Sequence, residues 1–171
     1  FQERSDLFQM PFNMFYSRRI GAVAPNGDLI PILGGAKISG TLGGGLSFGF
    51  LDAVTGRVWE DDSILVQPGA NFGVFRGLMQ FGGYSYLGLS GVSRDAWEQD
   101  GLDRESHRAA ALDGAWEGPG GHLFSGSACG SWNTGADRGG AYEAGIQRIT
   151  GTFTYWAEMS RVEEDFDVNG T

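Results

Sequence analysis

Two adjacent arginines, Arg18 and Arg19, and the only lysine, Lys37, are the first residues of the chain whose types and spacing could do chemistry. They lie in the stretch 15–42, FYSRRIGAVAPNGDLIPILGGAKISGTL, with Glu3 and Asp6 upstream as acidic counterparts. Neighbouring residues on a strand point to opposite faces, so one arginine is expected to face an interior and the other a rim. An interior cation could bind anions or tune permeation. Paired with Glu3 or Asp6 it would instead fix register, because charges in a confined interior are normally paired. The second arginine belongs near a rim, where its stem can snorkel, since a lipid-facing Arg at mid-depth costs about 2–4 kcal/mol. Lys37 alternates with Ser39 and Thr41 against Ile38 and Leu42, and reads as a further lumen-facing cation matched to Glu or Asp.

Other candidates carry weaker chemistry. Asp165, Asp167, Asn169 and Gly170 spell the first half of an EF-hand loop, D-x-D-x-N-G, whose alternate oxygens wrap Ca²⁺. A strand rather than a helix leads into it and the closing Glu would lie beyond Thr171, so an Asx-rich turn is expected. His107 and His122 fall on different segments, and no Ser or Cys has the neighbours of a nucleophile elbow. The single Cys129 cannot make a structural metal site, which takes about four ligands, and reads as a small, inert strand residue. Asp61, Asp62, Glu163, Glu164 and Asp165 could serve as acid/base pairs of the glycosidase kind. Clustered in loops, they read as a solvated acidic rim. No catalytic residue, cofactor or metal is expected.

The elements that must position these residues follow from composition and period. The chain holds 30 glycines in 171 residues with five prolines, and 41% of residues are hydrophobic. No collagen-like period is present, and the apolar content is too high for disorder. A net charge of −9 argues against a nucleic-acid partner, which needs clustered Lys and Arg. No apolar run approaches the roughly 18 residues of a transmembrane helix, whereas barrel strands carry a weaker, alternating signal. The length fits a single domain, 1–171.

Period-two segments bounded by Gly, Asn and Asp recur throughout, which predicts an all-β, antiparallel up-and-down meander. The expected strands are 12–20, 36–42, 46–51, 70–81, 84–93, 108–116, 121–132, 141–149 and 150–162. The 52–69 segment reads as an acidic connection and 94–108 as a long exposed loop. Within 70–81, Phe72, Val74 and Leu78 are set against Asn71, Gly73 and Gly77, and Arg76 interrupts the apolar face, so it marks a rim or a misplaced phase. Short glycine turns alternate with long polar loops, and polar faces are dominated by small residues, as in a barrel interior. Trp59, Trp97, Trp116, Trp132 and Trp156, with Tyr84, Tyr86 and Tyr155, would form an interfacial aromatic girdle, though a sugar-stacking platform or a soluble core could use them. The pattern by itself fits a soluble β-sandwich as well as a membrane barrel.

Several blocks resemble a known family. FQERSDLF at 1–8, FYSRRIG at 15–21, PILGGAKISG at 31–40, HRAAALDGAW at 107–116 and VEEDFDVNG at 162–170 are similar, in order, to signature blocks of the bacterial family called domain of unknown function 5916. Arg4 departs from the pattern, where the family more often has glycine. The resemblance implies a transmembrane-type β-barrel domain of the bacterial outer membrane, usually behind a domain similar to carbohydrate-binding modules of family 9. It implies a fragment of a larger barrel, with more strands after Thr171, partnered by outer-membrane lipid and by carbohydrate through the missing upstream domain. The expected role is transport or anchoring, without catalysis. The alternative is part of a carbohydrate-active hydrolase or a soluble glycan-binding sandwich.

Overall fold

Alternation of small and large residues folds this chain into strands, and glycines close the turns between them. The computed structural model describes residues 5–15, 20–60, 64–97, 105–135, 138–149 and 153–168. Its strands are β1 (Ile32–Thr41), β2 (Leu46–Thr55), β3 (Val58–Glu60), β4 (Ile64–Gln67), β5 (Ala70–Gln80), β6 (Tyr86–Ala96), β7 (Ser106–Gly118), β8 (His122–Asn133), β9 (Gly139–Ile149) and β10 (Thr154–Val162). Eight of them form one sheet in the order β1-β2-β5-β6-β7-β8-β9-β10, and β3 with β4 makes a separate two-stranded hairpin inside the β2–β5 connection. Every neighbouring pair in the sheet is antiparallel, so the fold is an all-β meander. The sheet is open, with β1 and β10 as its edges.

The connections are asymmetric. Tight turns at Gly43–Gly45, 81–85 and Pro119–Gly121 close one end of the sheet, and β2, β6 and β8 run out at the other. Gly45 shows why the turn end is glycine-rich: its φ is +84°, and a Cβ there would stand 2.3 Å from the Gln80 carbonyl oxygen.

Register defines two unlike faces. One row of cross-strand partners runs Thr41, Ser47, Leu78, Gly88, Asp113, Ser127, Glu143, Ser160. The next row, on the other face, runs Gly40, Phe48, Gly77, Leu89, Leu112, Ala128, Tyr142. The first, inner face is built of small and polar side chains and is buried on the central strands, though open on β1 and β10; the second carries large apolar side chains that are exposed.

What buries the inner face is chain from both ends of the described sequence. Met14 packs with Ala109, Ala111 and Cys129, flanked by Met10, Phe12, Val92, Phe166 and Val168. Phe12 and Phe166 meet edge to face at 5.7 Å, which joins the two covering segments. Farther along the face, Phe8 and Leu7 fill the space over Gly49. The downstream segment is tied to β8: the Asp167 amide donates to Ser131 Oγ at 3.1 Å, and the Asn133 side-chain amide donates to the Asp167 carbonyl at 3.1 Å. Gly139 makes that approach possible, because a Cβ there would fall 2.2 Å from the Phe166 backbone nitrogen. Gly139→Ala is therefore expected to lift 163–168 off the sheet. The check is hydrogen exchange at the Asp167 amide, expected to speed by about tenfold or more, with Gly91→Ala as a control whose nearest obstacle is 3.9 Å away.

Several expected boundaries are corrected. Residues 12–15 are not strand: Pro11–Asn13 is a 3₁₀ turn with Phe12 and Asn13 at positive φ, and Met14 turns into the core instead of pairing. Pro11 also lacks the N–H a ladder needs. β1 starts at Ile32 rather than 36, β2 runs on through Asp52 to Thr55, and the acidic connection holds the β3–β4 hairpin. β6 and β7 take in both ends of the expected 94–108 loop, because Arg94 and Asp95 pair in register with His107 and Ser106. In β5, Phe72, Val74, Arg76 and Leu78 point inward while Phe75 and Met79 point outward. Arg76 thus belongs to the inner face rather than to a rim, and both faces of β5 are apolar, which is why alternation misassigned its lipid-like side.

Candidate functional site

The polar centre of the molecule is built around Arg76 on β5. It is 3% exposed and forms an ion pair through Nη1 and Nη2 with both oxygens of Asp113 on β7, the Nη2–Oδ2 bond being 2.8 Å. Nη1 also donates to Ser90 Oγ on β6 at 2.6 Å. The pair spans two strand spacings by passing over Gly88, whose missing side chain leaves the path open: a Cβ there would stand 2.7 Å from both the guanidinium and the carboxylate. Arginine suits this place because its planar fork meets a carboxylate with two parallel bonds.

Beyond the pair the inner face opens into a cavity of about 540 Å³, lined by Arg76, Tyr86, Asp113, Ser127, Glu143 and Glu158 and bordered by Gln9, Met10 and Pro11 of the upstream segment. Ser127 Oγ donates to Glu143 Oε1 at 2.7 Å. With Arg76 and Asp113 compensating each other, Glu143 and Glu158 leave this cavity acidic. It offers hydroxyl donors and carboxylate acceptors on small-residue walls, an arrangement that hydrates and orients polar or cationic solutes.

The residues singled out from sequence are distributed as follows. Glu3, Arg18, Arg19, Asp61, Asp62, Asn169 and Gly170 lie outside the described residues, as does the side chain of Asp6. Lys37 is on the inner face, opposite Leu51, with its Nζ 5.0 Å from the Phe8 ring centroid. His107 and His122 sit at opposite ends of the β7–β8 hairpin, His107 inside at the loop end and His122 at the turn end with Nδ1 2.8 Å from the Pro119 carbonyl. Glu163, Glu164 and Asp165 are exposed beyond β10, and Asp167 is engaged through its backbone. Cys129 is buried in the inner-face core. Among the described residues no three His, Cys, Asp or Glu side chains converge as metal ligands.

The outer-facing tryptophans of the sheet lie at its ends, whereas Phe50 and Phe75 pair in mid-sheet. Trp116 stacks on Phe124 at 5.5 Å near the tight turns, with His122, Phe153 and Tyr155 close by, while Trp132 lies at the loop end opposite Arg108. Tyr86 and Trp156 depart from the expected girdle by facing inward, in register with Ala115 and Gln147. Sequence reasoning missed Asp113, Ser90, Ser127, Glu143 and Glu158. One signal was available: Arg76 in an apolar alternation demands a buried anion, and Gly88 and Ser90 on the next strand leave room for it. No family model, curated protein or solved structure matches the chain.

Proposed function

We propose that this chain is a segment of a bacterial outer-membrane β-barrel, of the family called domain of unknown function 5916, serving transport or anchoring a carbohydrate-binding domain, and not itself an enzyme. The observation that carries the reading is the inverted distribution of side chains. Phe50, Leu112 and Trp116 on the outer face are 45%, 56% and 53% exposed, whereas Arg76, Ser90 and Asp113 on the inner face are buried. Soluble monomers rarely expose contiguous apolar patches beyond a few hundred Å². A lipid-facing sheet requires one.

The apolar face also has polar ends. At the loop end Arg108 pairs with Asp95 at 3.0 Å and Asn71 donates to Asp52, all on the outer face; at the turn end stands the Trp116–Phe124 stack. Arg108 and Trp116 are about 26 Å apart along the strand, on the order of the roughly 25 Å apolar band of membrane barrels. A soluble sandwich would need a second sheet over this face, and among the described residues the other sheet is the short β3–β4 hairpin. The block resemblance at 1–8, 15–21, 31–40, 107–116 and 162–170 supports the family assignment. The test is phase partition with detergent: the protein is expected in the detergent phase, and a monodisperse aqueous species without detergent ends the barrel reading.

A further inference from the structure

We infer that a second cavity, at the loop end of the inner face, is a binding site for a small organic carboxylate, an aromatic or branched aliphatic acid, with Arg94 and His107 holding its carboxylate. The inference rests on this cavity alone and stands whether or not the outer face meets lipid.

The cavity measures about 160 Å³, and Met14, Phe72, Val74, Val92 and Val168 form much of its wall. An apolar cavity of roughly 150 Å³ accommodates benzene, so the size class is one ring or a short branched chain. The wall is not uniformly apolar. Arg94 on β6 and His107 on β7 are register partners on the same face and both line it. Their chemistry is that of an acid receptor: a permanent guanidinium fork beside an imidazole.

Two observations favour a carboxylate in this corner. The Glu105 carboxylate lies 3.7 Å from Arg94 Nη1 and 4.0 Å from His107 Nε2, so the two side chains can share one anionic group. Both distances are those of a loose pair, and Glu105 is itself 61% exposed, which leaves it readily displaced. The other ring nitrogen, His107 Nδ1, is buried without a hydrogen-bond partner among the described residues. Burying a polar ring atom unpaired is unfavourable, and a small ring movement that brings it to a ligand oxygen in the cavity removes that penalty. An amine would meet the Arg94 charge, and an alcohol would forgo the charge-assisted bonds.

Fluorine NMR titration of the full chain, in whichever medium keeps it monodisperse, tests this with para-fluorobenzoate, para-fluorobenzyl alcohol and para-fluorobenzylamine. Saturable binding of the benzoate is expected, tighter than either analogue. Arg94→Gln should weaken it by about tenfold or more, and Glu105→Gln, which removes the competing carboxylate, should tighten it. Val74→Trp, which fills the cavity, should abolish it; Arg94→Gln decides the question alone if Val74→Trp does not fold. The inference is overturned if no probe saturates, if the amine binds as tightly as the acid, or if Arg94→Gln leaves the benzoate affinity unchanged.

Discussion

Asp113→Ala is expected to destabilise the protein by about 3–5 kcal/mol, because it strands the Arg76 guanidinium in a site where that residue is 3% exposed. The carboxylate supplies partners to both terminal nitrogens, and Ser90 cannot replace it, since its hydroxyl already accepts from Nη1. The same reasoning makes the double variant informative. Arg76→Met with Asp113→Leu removes both charges and fills similar volume, and such replacements of buried pairs are often neutral or better. Most of the lost stability should therefore return. Equilibrium urea unfolding of wild type, Asp113→Ala and the double variant decides the matter. A single-variant loss below about 1 kcal/mol would mean that solvent in the adjoining cavity screens the charge as it does at a surface.

Leu112→Arg has the second largest expected effect, and its size discriminates between environments. Leu112 lies on the outer face midway between the Arg108 and Trp116 positions, flanked in register by Leu89 and Ala128. On a soluble sheet an exposed leucine exchanged for arginine changes stability by about 0.5 kcal/mol or less. At the midplane of a bilayer the same exchange costs about 2–4 kcal/mol. Folding into lipid vesicles, followed by heat-sensitive gel mobility or tryptophan fluorescence, should show the larger loss for Leu112→Arg and almost none for Ser106→Arg at the loop end. Equal, small effects at both positions would rule out a lipid-facing surface.

The sequence carried much of the fold because period-two alternation and glycine turns are local signals. The hairpin around Pro119–Gly121 follows from its glycine turn, and the strand phase of β6 from Leu87 and Leu89 against Gly88 and Ser90. Alternation fails where both faces of a strand are apolar, as in β5, and where chain leaves the ladder to cover a face, as Met14 does. The polar centre was less legible. Arg76 and Asp113 are separated by the whole of β6 in space and by two turns of meander in sequence, and only the register of three strands brings them together. Glu143 and Glu158 join that centre only through the pairing of β8, β9 and β10.

The two sheet edges carry an obligation about stoichiometry. β1 and β10 are ten and nine residues long, and among the described residues each pairs through the sheet on one side only. In hydrocarbon an unsatisfied backbone N–H or carbonyl costs several kcal/mol. A few such groups outweigh the entire net stability of a typical domain, about 5–15 kcal/mol. If the outer face lies in a bilayer, both rows must be saturated by further polypeptide, so these eight strands set a lower bound on the strand number of the finished assembly.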